Sequence, residues 1–325
     1  MLNELLRRNA DYDHFYRYHD LELYNHLPMT LVALAELGAD PQRLTAFQDA
    51  YTPQLSPCHD DGRLLDDWHG RLGQRDFYPA YRRHYRAEIA RNGVEVVLGR
   101  DLPALLLGCG AAAFHGPIRL AYALRVEDHN EIADAMASFA ATYLKLPLAR
   151  PGSAGESASV LARLRRIGAE PALRQNWPER TISARVERIA SQPEFAEQTR
   201  QLPAGLSLAE LARTAAELLW HTPNFTLLHL VTGCHAIRCL NGRVPADPLP
   251  ALWPAFVGAW LSSTTSLPGQ PAEPPTGADW PDIRLRALAA DDEHVIKLVH
   301  ACREEAACYA NPLYRAIAAR AVGLS

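Results

Sequence analysis

Asp291-Asp-Glu-His-Val-Ile-Lys-Leu-Val-His300 sets His294, Lys297 and His300 at every third position of a run whose other members, Val295, Ile296, Leu298 and Val299, are apolar. On a helix, residues three apart lie on adjoining parts of one face, so the spacing predicts a helix with a polar stripe and otherwise buried faces. A lysine among buried apolar side chains must find a counter-charge, lose its proton or be chemically altered, unless its stem carries the ammonium out to water. The stretch therefore asks what the rest of the chain brings to that stripe.

Outward from it, the periodicity stays helical. Asn25 is a cap for a helix that tolerates Pro28 and ends at Gly38, and further helices are expected from Asp40 to Tyr51, Phe77 to Asn92 and Asp128 to Leu144. The second half gives helices at 158–168, 181–190, 193–201, 206–221, 221–240 and 250–263, and from Ile283 and Asp291 onward. No convincing alternating β segment and no internal repeat of roughly 20–50 residues interrupts them. The expectation is an all-α fold: a single multi-helix globular domain over 1–325 with a buried histidine-rich centre and a Pro/Gly-rich surface linker at 268–280.

Composition narrows the function classes. Hydrophobic residues at 48% and charged residues at 22% are ordinary globular usage, which excludes a disordered chain. A formal charge of -4 and a pI near 6.4 give no basic field for nucleic acid. No apolar run reaches the roughly 18–20 residues of a membrane span, and Met1-Leu-Asn-Glu-Leu-Leu-Arg-Arg8 is not built like a secretory signal, so a cytoplasmic protein is expected. The six cysteines contain no CxxC pair and suit reduced packing thiols.

The histidines carry more. His26 falls near a helix N-terminus, whose positive end keeps the imidazole neutral, the form a metal needs. His229 lies between Leu228 and Leu230 in the most apolar histidine-bearing helix, and His235 lies about 240° away around it, so the two cannot face one site. If Pro117 opens a helix, His115 sits at its start, with Arg119 and Tyr122 following at helical spacing. Arg119 among Ile118, Leu120 and Ala121 needs a carboxylate or an anionic ligand, and Glu127 and Glu131 are the nearby acids.

Three other features weigh less. Arg82, Arg83, His84 and Arg86 read as a solvated helix face. Cys58-His59-Asp60-Asp61 looks like a metal cluster on paper, but adjacent residues of a polar loop rarely converge. Gly108-Cys109-Gly110-Ala111-Ala112-Ala113 is formally GxGxxA, yet Pro103 stands where the preceding strand of a dinucleotide site belongs. The aromatic segment from Asn9 to Tyr24 either lines a binding mouth or covers the core.

Four stretches taken together resemble the questin oxidase-like family: Asn25-His-Leu-Pro-Met29 with Ala33-Leu-Ala-Glu-Leu-Gly-Ala39, Ala113-Phe-His-Gly-Pro-Ile-Arg-Leu-Ala-Tyr-Ala123, Phe225-Thr-Leu-Leu-His-Leu-Val-Thr-Gly233 and Asp292-Glu-His-Val-Ile-Lys-Leu298. The resemblance implies a largely helical fold, oxygenase activity on anthraquinone-type polyketides and, in metal-dependent members, a histidine-rich iron centre. Carried over position by position, it implies His26, His115, His229 and His294 as metal ligands with Lys297 beside them. His300 falls outside the matched motif and is expected at the periphery or the surface.

The residues support such a centre in their own right. Separated histidines in apolar helices resemble ligands brought inward by a bundle, and imidazole suits iron, zinc, copper or nickel. An ammonium cannot ligate, so a ligating Lys297 must be neutral or carbamylated. The leading expectation is a non-heme Fe(II)-dependent oxygenase that brings O2 to a small hydrophobic aromatic substrate, with Arg119 and Tyr122 orienting a phenolate or carbonyl oxygen. The alternatives are an NADPH-dependent Baeyer–Villiger type monooxygenase and a helical protein that binds an aromatic metabolite without turnover.

Overall fold

The computed structural model describes residues 1–152, 159–243, 247–269 and 277–324. Helix α1 (Leu2–Asn9) leads into a hairpin of β1 (Phe15–Tyr18) and β2 (Leu21–Tyr24), paired antiparallel with Phe15 opposite Tyr24 and Tyr18 opposite Leu21. Next come α2 (Leu27–Glu36), α3 (Pro41–Tyr51), α4 (Tyr78–Asn92), α5 (Val94–Leu106), α6 (Ala111–Ala123) and α7 (His129–Ala141). The second half adds α8 (Val160–Gly168), α9 (Ile182–Ala190), α10 (Pro193–Thr199), α11 (Leu208–His221) and α12 (Phe225–Asn241). It closes with α13 (Leu249–Ser262), α14 (Trp280–Ala289), α15 (Glu293–Tyr309) and α16 (Pro312–Ala321). With 66% of the chain helical, the all-α expectation holds, and the described residues make one globular domain.

The hairpin departs from the sequence reading, which expects no strand. Its strands are four residues each, too short for a period of two to stand out, and the turn between them is made by His19 at φ 55°. Most of the expected 268–280 linker, residues 270–276, lies outside the described residues, as do residues 153–158 of the loop before α8.

Four helices close a ring at the centre: α2 packs on α6 and α15, and α12 packs on the same two. Their sequences explain why they are inside. Every residue of α6 is buried, as is Leu27 to Leu34 of α2, so neither has a solvent face to turn outward. The other helices sheathe them, α7 against α6, α11 and α13 against α12, and α14 against α15. Close approach within the ring needs glycine. A Cβ on Gly233 of α12 would stand 2.7 Å from Phe114 Cγ of α6, inside van der Waals contact.

Capping fixes where the ring helices begin. Asn25 accepts a hydrogen bond from Leu27 N at 3.0 Å, Asn224 caps α12, and Asp292 accepts from His294 N at 2.8 Å to start α15. Arg82 and Arg86 correct part of the solvated-face reading, while Arg83 is exposed as that reading expects. Arg82 is buried, and it and Arg86 both pair with Asp134 of α7, because α7 covers the side of α4 that carries them.

Candidate metal centre and adjoining cavity

The ring delivers one histidine from each of its helices to the same end. His26 is the N-cap residue of α2, His115 and His229 are each the fifth residue of α6 and α12, and His294 opens α15. Ligand atoms of His26, His115 and His294 all lie within 4.8 Å of one another. His229 borders them, its ring centroid 4.9 Å from that of His115 and 5.5 Å from that of His294.

What each ring does with its Nδ1 decides what its Nε2 offers. His229 Nδ1 donates to the Phe225 carbonyl at 2.8 Å, one turn earlier in its own helix. His115 Nδ1 donates to the Ala112 carbonyl, and His26 Nδ1 donates to Glu293 Oε1 at 3.2 Å. His294 Nδ1 stands 3.5 Å from carboxylate oxygens of both Asp292 and Glu293. A proton fixed on Nδ1 leaves Nε2 as a lone pair, the arrangement outer-shell acceptors impose on metal-ligating histidines. His26 Nε2 and His115 Nε2 then face each other at 2.7 Å, and His294 Nε2 is buried without a hydrogen-bond partner.

The backbone before His115 is strained to make this possible. Ala112, Ala113 and Phe114 take left-handed conformations with φ of 46°, 57° and 68°. Each costs roughly 1–2 kcal/mol in an L-residue, and the packing of Phe114 against Gly233 holds them there. The turn aims the Ala112 carbonyl at the His115 ring and breaks α6 so that its regular portion starts at the histidine.

Electrostatics keep the cluster unprotonated. Burial pushes all four histidines below their ordinary value, His229 down to about 3, and Lys297 adds to the push on each of them. Lys297 lies one turn after His294, 3% exposed, with no hydrogen bond or ion pair among the described residues. Burial pulls its ammonium down to about 7, against the opposing pull of Glu293 and Asp292. Three neutral imidazoles whose ligand atoms converge, a fourth bordering them and an amine near its titration point fit a transition-metal ion.

A cavity of about 630 Å³ opens beside this cluster, and all four histidines line it. Phe15, Tyr16 and Tyr24 of the hairpin form one wall, so the aromatic N-terminal segment lines the mouth. Tyr24 stacks on His115 at 4.7 Å and hydrogen-bonds Ser138 through its hydroxyl. Phe225, 57% exposed, reaches over His229 and His294 with both ring centroids 4.7 Å away. Arg185 of α9 also faces the cavity; among the described residues it forms no ion pair, and its buried Nε has no hydrogen-bond partner.

Arg119 and Tyr122 lie elsewhere and line no part of this cavity. Arg119 is bound through Nε and one terminal nitrogen to Glu131, at 2.8 and 3.1 Å, both side chains buried. Tyr122 belongs to a second polar layer deeper in the ring. Its hydroxyl is 3.0 Å from His300 Nδ1, and His300 Nε2 is 2.6 Å from Glu36. His300 is only 2% exposed, so it is no surface group, and both its ring nitrogens are taken up by Tyr122 and Glu36. The six residues from His294 to His300 advance about 9 Å along the helix and turn it away from the first face.

Sequence reasoning missed Glu293 and Arg185. Glu293 is separated from His26 by 267 positions, and no spacing rule links them. The loop at Cys58 to Asp61 gathers no ligand group: Cys58 Sγ accepts from Arg82, and Asp60 pairs with Arg83. The run from Gly108 to Ala113 joins α5 to α6, helix to helix, so the strand-to-helix turn of a dinucleotide fingerprint is not formed. Among the described residues no helix is long and apolar enough to cross a membrane.

Comparison with curated proteins gives no match. One family model, described as questin oxidase-like, matches residues 23–302 and so takes in the four-helix ring's histidines and Lys297. This chain belongs to the questin oxidase-like family, and membership marks it as an oxidoreductase of the oxygenase kind acting on aromatic polyketide-type small molecules.

Proposed function

We propose that the protein is a non-heme iron-dependent oxygenase in which His26, His115, His229 and His294 hold Fe(II). The observation that carries this is the 2.7 Å approach of His26 Nε2 to His115 Nε2 with both Nδ1 atoms committed to acceptors. Two lone pairs at that distance repel unless a cation lies with them, and the burial that depresses both pKa values works against a proton in that role. Iron(II) held there would supply O2 activation next to the cavity.

The chain's own residues supply the rest. Glu293, Phe225 O and Ala112 O hold three rings in the Nε2-ligating tautomer. Lys297, at about 7, is present in good part as the free amine at neutral pH, the form that ligates or adds CO2 to give a carbamate oxygen ligand. Phe15, Tyr16, Tyr24 and Phe225 give the aromatic substrate its faces, and Arg185 takes an ionised phenol or carboxylate of that substrate.

Elemental analysis of protein purified without chelators, with oxygen uptake on Fe(II) addition, tests the reading. About one transition-metal ion per chain supports it; metal-free protein with no metal-stimulated uptake defeats it. NADPH oxidation upon substrate addition without bound metal would select the Baeyer–Villiger alternative instead.

A further inference from the structure

The second polar layer ends on a thiol. Cys239 follows His235 by one turn of α12, and its Sγ lies 3.8 Å from His235 Nε2. The opposite ring nitrogen, Nδ1, is 2.8 Å from Oε1 of Glu305, which is 1% exposed and also accepts from Arg238 Nε at 2.7 Å. Sulfur, imidazole and carboxylate thus stand in the order of nucleophile, base and orienting acid, drawn from two packed helices.

The charges around the sulfur favour its anion. Those that bear on Cys239 are His235, Arg238 and Arg125, all positive when protonated. Burial pushes the thiol up, but the hydrogen bond and charge of His235, followed by Arg238 and Arg125, outweigh it and bring it below the ordinary value. Burial likewise works against a charged His235, yet Cys239 and Glu305 raise it to about 9. Cys239 is half-buried, whereas Cys109, Cys234 and Cys302 are buried, burial raises Cys58, and Cys308 is exposed.

We propose that Cys239, with His235 and Glu305, is a thiolate–imidazolium modification site that reacts with hydroperoxides, and with soft electrophiles, ahead of every other cysteine in the chain. With hydrogen peroxide the thiolate attacks one peroxide oxygen, the S–O bond forms as the O–O bond breaks, and hydroxide leaves. His235 gives that hydroxide a proton, so a sulfenic acid and water result; sulfur loses two electrons and the peroxide gains them. The site lies in the deeper layer and stands whether or not the histidine cluster binds iron.

The test is competitive alkylation of the full-length chain by limiting iodoacetamide at pH 6.5, read by peptide mass, with a parallel hydrogen peroxide exposure trapped by dimedone. With His235, Arg238 and Arg125 favouring its thiolate, Cys239 is expected to label at least about fivefold faster than the more exposed Cys308. Glu305→Gln and His235→Gln should each remove that lead while leaving the Cys308 rate unchanged, and dimedone should mark Cys239 first. Cys308 outrunning Cys239 in the wild type overturns the proposal, whatever the variants do. An undiminished lead in a folded Glu305→Gln protein overturns the role given to the carboxylate and with it the proposal.

Discussion

His26 Nε2 and His115 Nε2 stand 2.7 Å apart although the first belongs to α2, the second to α6, and each ring is held by an acceptor on its far side. Nothing in apolar packing asks for that approach. Three left-handed residues precede His115, and a carboxylate from the opposite end of the chain orients His26. Strain and buried polarity concentrated at one point are what a functional centre imposes on a core that is otherwise leucine, alanine and aromatic rings.

The two polar layers of the ring predict opposite outcomes for two histidines on one helix. His294→Ala removes a buried, unpartnered Nε2 from the first layer and should abolish metal retention. His300→Ala breaks contacts to Tyr122 and Glu36 and should lower stability while leaving metal content near wild type. Elemental analysis of both purified variants decides, and equal metal loss would mean the layers are not separate.

Acid should destabilise the metal-free protein earlier than a carboxylate-driven transition would. A histidine whose native value is depressed leaves the unfolded chain binding a proton that the native chain refuses, so stability falls as pH falls from 6.5 towards the native value. For His229 that window runs from 6.5 to about 3, and His26, His115 and His294 shift in the same direction. Each group fully within its window contributes about 1.4 kcal/mol per pH unit. Lys297, at about 7, acts likewise at higher pH, its stability contribution rising between about 7 and 10.5. Urea midpoints should therefore drop steadily from pH 7 to pH 5, and His229→Gln should flatten the slope.

Much of the fold was legible because three of the four ring helices announce themselves by a capping side chain: Asn25 before Leu27, Asn224 before Phe225, Asp292 before Glu293. The hairpin was not, since four residues per strand give no period to read. At the site, the sequence singled out the four histidines that the ring brings to one end, but it put Arg119 and Tyr122 with the substrate. Position along a helix tells which face a side chain takes only once the neighbours are known. Arg119 found Glu131 twelve positions away, Tyr122 found His300, and the cavity took Arg185 from a helix whose spacing carried no signal.

Gly233→Ala should damage the centre without touching a ligand. The new methyl would meet Phe114 at 2.7–3.0 Å, and Phe114 is the last of the left-handed residues that set His115. Overpacking of this kind typically costs about 1–3 kcal/mol. The expected result is a lower melting temperature together with substoichiometric metal; a loss of stability with full metal content would show that the turn does not depend on this contact.

Arg185→Gln tests the cavity's charge. Removing an unpaired guanidinium should weaken binding of an aromatic carboxylate or phenolate by on the order of tenfold, since a hydrogen bond to a charged group contributes about 1.5–3 kcal/mol. A neutral aromatic of the same shape should bind wild type and variant alike. Titrations followed by intrinsic fluorescence give both affinities, and equal losses for the two ligands would reduce Arg185 to a wall.

Arg119 provides the contrast. A substrate-binding arginine and a structural one differ in what their removal leaves behind. Arg119→Met strands Glu131, 4% exposed, without its partner, and breaking a buried pair from one side costs about 3–5 kcal/mol. Replacing both ends with apolar residues of similar volume, Arg119→Met with Glu131→Leu, leaves no orphaned charge and should recover most of that loss. If Arg119 served the substrate, the double variant would regain stability yet remain unable to bind ligand. The structure places Arg119 outside the cavity, so the double variant is expected to recover both, as thermal unfolding and ligand titration on the same preparation would show.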